Sequence, residues 1–126
     1  MVRPFKRSLL AAALALTAAT PALADDVLGT RYVRDRSDTD VIDVSNAKLY
    51  SAVKLCVAQR AVNFHDLDIH FANGGMQDAP LRYVIGVGEC SRWIDLNGEQ
   101  RHITKIVMRY DAISGGVQAI VTAYGK

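Results

Sequence analysis

The chain has little of what most functional signatures need. Its longest apolar run, Leu9 to Ala19, is interrupted by Thr17 and covers only about 11 residues, where a membrane-crossing helix needs roughly 20. No second run approaches that length. There are two cysteines, Cys56 and Cys90, too far apart for a Cys-x-x-Cys redox pair. Ser51, Ser91 and Ser114 lack a Gly-x-Ser-x-Gly elbow. Gly86-x-Gly88 and Gly115-Gly116 lack the lysine and the strand-to-helix context of a phosphate loop. There is no internal repeat and no low-complexity stretch.

An excess of positive charge is also missing once the leader is set aside. Arg3, Lys6 and Arg7 precede the apolar run, and Pro21-Ala22-Leu23-Ala24 follows it. This is the order of a secretory signal: charged start, short apolar centre, Ala-x-Ala cleavage site. The predicted mature chain is residues 25–126, a single domain by length. Three of the 15 basic residues leave with the leader, so 12 remain against 13 acidic ones, and the formal charge of +2 becomes −1. That balance gives no support to nucleic-acid binding or to an anionic membrane surface. No cysteine lies at the cleavage site, and no Arg-Arg pair precedes the apolar run. The prediction is a periplasmic or secreted product with no membrane span. In an oxidising compartment an even pair of cysteines is most simply a Cys56–Cys90 disulfide, two separate thiols being the alternative.

Turn signals fall at short intervals: Ser45-Asn46, Asn73-Gly74-Gly75, Asn97-Gly98 and Ser114-Gly115-Gly116. Between them lie strand-like runs. Leu67, Ile69 and Phe71 alternate with Asp66, Asp68 and His70, and Leu81, Tyr83, Ile85 and Val87 repeat the period. Ile94 and Leu96, followed by Asn97-Gly98 and then Ile106, Met108 and Tyr110, suggest a hairpin. Val117, Ala119, Val121 and Ala123 form a last strand, with shorter ones at Val27–Arg34 and Val41–Val44. The predicted core is Leu67, Ile69, Phe71, Ile94, Leu96, Ile106, Met108 and Val121. The five tyrosines are predicted near sheet margins.

Residues 47–62 fit two templates. A helical stripe takes in Leu49, Ala52, Val53, Cys56, Val57 and Arg60; a strand takes Leu49, Ser51, Val53, Leu55 and Val57. Composition leans to the helix, with Ser45 or Asn46 as its cap, which would make the fold α+β.

A succession of short segments then bears on this choice. Leu28-Gly29-Thr30-Arg31, Asp35-Arg36 with Asp38 and Asp40, Val62-x-Phe64-x-Asp66, Asn73-Gly74, Trp93-Ile94-Asp95-Leu96 with Gly98, and Tyr124-Gly125 occur in that order. The pattern resembles a family of small exported bacterial proteins, domain of unknown function 2541. The resemblance implies a compact all-β sandwich of about seven to eight antiparallel strands, with residues 49–57 as strand. It implies no activity.

Two residue groups could hold a metal. Asp35, Asp38, Asp40 and Asp43 place four carboxylates in nine residues, the hard oxygen donors that calcium requires. The spacing lacks the glycine and distal glutamate of an EF-hand, and Arg34 and Arg36 stand ready to neutralise it, so the expectation is an ordinary charged turn and no cofactor. On an extended strand Asp66, Asp68 and His70 share one face, a set able to bind zinc or exchange protons, with His102 required from elsewhere. His65 points to the opposite face, and the plain reading of the first three is a solvated sheet face. Trp93 has the opposite parity to Ile94 and Leu96. It either forms a platform for a glycan or protein beside Arg92, or is covered by another part of the fold. The functional expectation is a non-catalytic binding or structural module of the cell envelope, its partner an envelope protein or glycan; the alternative is a small metal-binding protein or metal-dependent hydrolase.

Overall fold

A computed structural model describes residues 25–34, 38–112 and 118–126. Residues 1–24, expected to be a leader, lie outside them, as do Asp35, Arg36 and the expected Ser114-Gly115-Gly116 turn. Nine strands are found among the described residues: β1 (Asp26–Val33), β2 (Thr39–Asp43), β3 (Ala52–Ala58), β4 (Val62–Phe71), β5 (Met76–Ala79), β6 (Val84–Ile85), β7 (Ile94–Asp95), β8 (Ile103–Tyr110) and β9 (Ala119–Gly125). They form two antiparallel sheets. The first has the order β1-β9-β3-β7; the second runs β2-β8-β4-β5, with β6 pairing the start of β4. The fold is therefore all-β, as the family resemblance implies, with one or two strands more than the expected count.

The alternation of residues along each strand builds the core. Leu67, Ile69 and Phe71 of β4, Ile106 and Met108 of β8, and Val121 of β9 face inward, and Ile94 and Leu96 close one end. All eight predicted core residues are buried. Phe64 and Tyr110 add an edge-to-face ring pair with centroids 6.5 Å apart.

Residues 52–58 are strand and not helix. A helix would have buried Leu49 and Cys56 together with Val53; instead Leu49 is 58% exposed, while Val53, Leu55 and Val57 point inward. Pairing decides it. β3 has β9 on one side and β7 on the other, so its backbone groups are satisfied by neighbours, which outweighs a small helix propensity.

Three other expectations change. The Asn97-Gly98 turn exists, with Gly98 and Glu99 at positive φ, but it does not join a hairpin. β7 pairs with β3 in the first sheet and β8 with β2 and β4 in the second, so the loop carries the chain across the sandwich. In 81–87 only Val84–Ile85 pairs as strand; Leu81 and Ile85 are buried, but Tyr83 and Val87, which the alternation puts on the same face, are exposed because the extended pairing stops on either side of them. Finally, a bulge between Phe64 and Asp66 takes up His65, which is exposed instead of joining Leu67 on the inner face. Tyr50 and Tyr110 are core residues, whereas Tyr32 is 53% exposed.

Candidate functional site

The acidic turn does not form one cluster among its described members. Asp38 and Asp43 are exposed, and Asp40 is buried on the inner side of β2. Asp40 accepts from Arg31 Nε at 2.9 Å and from the Tyr110 hydroxyl at 2.7 Å, and a terminal Arg31 nitrogen lies 2.9 Å away. Both carboxylate oxygens thus have partners. The neutralising arginine is Arg31, from the neighbouring sheet, and not Arg34. β2 orients Asp40 and Asp43 to opposite faces because they are three residues apart on a strand.

Asp66, Asp68 and His70 do share the outer face of the second sheet. There Asp78 of β5, opposite Asp68 in register, joins the first two. One carboxylate oxygen from each of Asp66, Asp68 and Asp78 lies within 4.8 Å of the others. His70 is one row further on, beside Lys105 and Met76, and neither it nor His102 belongs to this group. Arg109 of β8 closes the group, its guanidinium 3.1 Å from Asp66 and 2.9 Å from Asp68. A hydrogen bond to Asp66 and the charge of that neighbour push the Asp78 carboxyl above its usual range. The hydrogen bond with Asp68 holds the Arg109 guanidinium more firmly charged. Chemically, the site can share a proton between Asp78 and Asp66, or hold a cation where Arg109 now sits. Nearby, His65 pairs with Asp111, and that contact, with the amide of Asn63, lowers the Asp111 carboxyl.

No local pattern points to Asp78 or Arg109. Asp78 lies in a four-residue strand that reads as a connector. Arg109 reaches Asp66 only through the β4–β8 register, which local alternation does not reveal.

The outer face of the first sheet differs in chemistry. From β3 and β9 it presents Lys54, Cys56, Ala58, Ile120, Thr122 and Tyr124, with no carboxylate among them. Cys56 is bonded to Cys90, confirming the predicted pairing. The two cysteines face each other across an antiparallel bridge, held on either side by Ser91 N–H to Leu55 O at 2.7 Å and Val57 N–H to Glu89 O at 2.9 Å. Lys54 is paired with Tyr124 on β9 and neighbours Trp93 just before β7. Its ammonium lies 4.7 Å from the Trp93 ring centre and 5.8 Å from that of Tyr124. The Lys126 ammonium lies 4.6 Å from the same Trp93 ring. Trp93 is thus half-buried on an outer face beside two lysines, and no further sheet among the described residues lies over it.

Beside this face opens a cleft of about 310 Å³ at the end of the sandwich, floored by Leu49, Tyr50 and Gly125 and rimmed by Asp26, Lys48 and Lys126. The Tyr50 ring fills the space where a Cβ at Gly125 would sit, 2.7 Å from its nearest carbon, so glycine is required there. The Tyr50 hydroxyl donates to Asp26 at 2.8 Å, and Lys48 lies 3.3 Å from the same oxygen. These two partners lower the Asp26 carboxyl, while burial and then the Asp26 contact raise the Tyr50 phenol.

Fold and surface define a two-sheet antiparallel domain whose outer faces are chemically distinct, one carboxylate-rich and one aromatic and cationic. The chain belongs to the family described as Domain of unknown function (DUF2541), whose model matches residues 8–125. No curated protein matches the sequence. Among solved structures it is similar to the one titled "Structural and functional characterization of Pseudomonas aeruginosa AlgX", with a TM-score of 0.51 and 7% identity over 86% of this chain. The match takes in 27% of that longer chain, and at this identity the likeness concerns the fold alone.

Proposed function

We propose that this domain is a non-catalytic binding module of the cell envelope, acting outside the cytoplasm through the outer face of its first sheet. The observation that carries the reading is the grouping of Lys54 on β3 and Tyr124 on β9 with Trp93 just before β7 and Lys126 just after β9. Aromatic rings beside ammonium groups offer contact area and charge, and the strands that carry or flank them keep the ordering cost small. Across the molecule, by contrast, Asp66 and Asp68 already have Arg109 as partner. The leader-like sequence of residues 1–24 and the Cys56–Cys90 disulfide support an oxidising compartment. The reading is tested by co-sedimentation of the purified protein with isolated envelope fractions. Wild type should sediment with them and Trp93→Ala should remain in solution. Equal sedimentation of both would remove this face from the account.

A second reading, metal binding, has the three carboxylates of Asp66, Asp68 and Asp78 in its favour. It requires a cation to displace Arg109, and native mass spectrometry of the protein with zinc and calcium decides it.

A further inference from the structure

We propose that the face carrying Trp93 binds an acidic glycan, a chain of pyranose rings bearing carboxylates; the proposal rests on the binding-module reading above and names its ligand class.

Three features select this ligand. The first is the arrangement of rings. Tyr124 on β9 pairs with Lys54 on β3, and Trp93 lies one residue before the β7 segment that flanks β3 on its other side, so the two aromatic side chains stand about two strand spacings apart, roughly 9–10 Å. The Lys54 ammonium lies between them, within 4.7 Å of one ring and 5.8 Å of the other. An extended glycan offers rings and charged groups at comparable intervals along a flat ribbon. The second is charge. Lys126 has no carboxylate partner among the described residues, its ammonium resting over Trp93. Lys54 has one carboxylate partner among the described residues, Asp25 at 3.6 Å. An ammonium over a ring gives up little when a carboxylate approaches from solvent, so both lysines can pair with the ligand. The third is the hydroxyl row beside it. Thr30 and Thr122 face each other with oxygens 3.4 Å apart and supply donors and acceptors of the type that sugar hydroxyls use.

Two lysines are too few for an anionic membrane, where stable attachment takes a polybasic cluster. The opposite sheet of a second copy would bring Asp66 and Asp68 already paired to Arg109, which leaves little charge for Lys54 and Lys126 to meet.

The test uses the protein purified from its native compartment and three probes at equal mass: oligogalacturonate, which has rings and carboxylates; cello-oligosaccharide, which has rings alone; and polyglutamate, which has carboxylates alone. Calorimetric titration should detect binding of oligogalacturonate that weakens with added salt. Trp93→Ala and the double variant Lys54→Gln/Lys126→Gln should each lose about tenfold or more in affinity, as a stacking or paired-charge contact of this kind implies. An unchanged melting temperature for each variant shows that the fold is intact; if Trp93→Ala melts early, the lysine pair carries the test. Stronger binding of polyglutamate than of oligogalacturonate would overturn the proposal, as would binding by the neutral sugar that ignores both lysines. Self-association blocked by the lysine changes would also overturn it and name a second copy as occupant. If oligogalacturonate fails while envelope fractions still capture wild type and not Trp93→Ala, the glycan assignment falls and the binding module stands.

Discussion

The Arg31 guanidinium on β1 and the Asp40 carboxylate on β2 meet at 2.9 Å through two nitrogens, and so tie an edge strand of one sheet to an edge strand of the other. Tyr110 of β8 donates its hydroxyl to the second oxygen of the same carboxylate. The Asp40 side chain is 9% exposed and the Arg31 side chain 51%, so the arginine can be resolvated and the carboxylate cannot. Arg31→Ala should therefore cost about 2–3 kcal/mol, below the range for a fully buried pair, and Tyr110→Phe about 1 kcal/mol. Urea denaturation of the two variants checks both values. A loss under about 0.5 kcal/mol for Arg31→Ala, the size of an ordinary surface substitution, would mean that the carboxylate is satisfied without it.

The same geometry bears on calcium. Asp40, the buried member of the acidic turn, has both oxygens engaged by the protein. Calcium and chelator should leave the melting temperature unchanged. A site filled at 100 times its dissociation constant would instead add about 2.7 kcal/mol, a rise of roughly 10–20 °C for a domain of this size. Differential scanning fluorimetry separates the two outcomes.

The Cys56–Cys90 disulfide closes a loop with a sequence separation of 34 residues. In the chain-entropy model such a loop contributes about 3–4 kcal/mol, a large share of the net stability of a domain this size. The Cys56→Ala/Cys90→Ala variant should lose about that much on urea denaturation. Thiol labelling of denatured, unreduced native protein should find no free cysteine.

Carboxylates on the molecule respond to pH with opposite signs. Asp78 has its pKa raised above 3.8, chiefly by its hydrogen bond to Asp66, so its stabilising contribution is present when it is protonated and is lost as pH rises through the raised value. Asp26 and Asp111 have theirs lowered, by Tyr50 and His65 first of all, so their contributions hold above 3.8 and are lost as pH falls through the lowered values. Asp78→Asn mimics the protonated state. Its melting temperature should match wild type in acid and exceed it at neutral pH. Lower stability than wild type at neutral pH would show that the Asp78 charge is needed, as a bound cation would require.

Much of the core was legible because burial on a strand follows a period of two. Leu67, Ile69, Phe71, Ile106, Met108 and Val121 needed only that rule. The bulge at His65 broke the rule locally, and no single residue type announces a bulge. The Asn97-Gly98 turn was legible as a turn, but which sheet receives β7 depends on the whole strand order, so the hairpin reading failed. β3 is the instructive case: its local composition favours a helix, and partners on both sides make it a strand. The candidate sites were half-legible. Parity along one strand placed Asp66, Asp68 and His70 together and turned Trp93 outward. What joined them, namely Asp78 and Arg109 on one face and Lys54, Lys126 and Tyr124 on the other, comes from cross-strand register and was out of reach of local pattern.

Trp93 is the sole tryptophan of the chain, so its emission reports directly on the face proposed to bind. The decisive measurement is a fluorescence titration of the native protein with solubilised envelope material. The account predicts a saturable change in Trp93 emission for wild type that Lys54→Gln/Lys126→Gln and Tyr124→Ala both weaken while their melting temperatures hold. Binding seen by co-sedimentation with no change in Trp93 emission, and with full affinity in both variants, would contradict it and place the binding surface elsewhere on the sandwich.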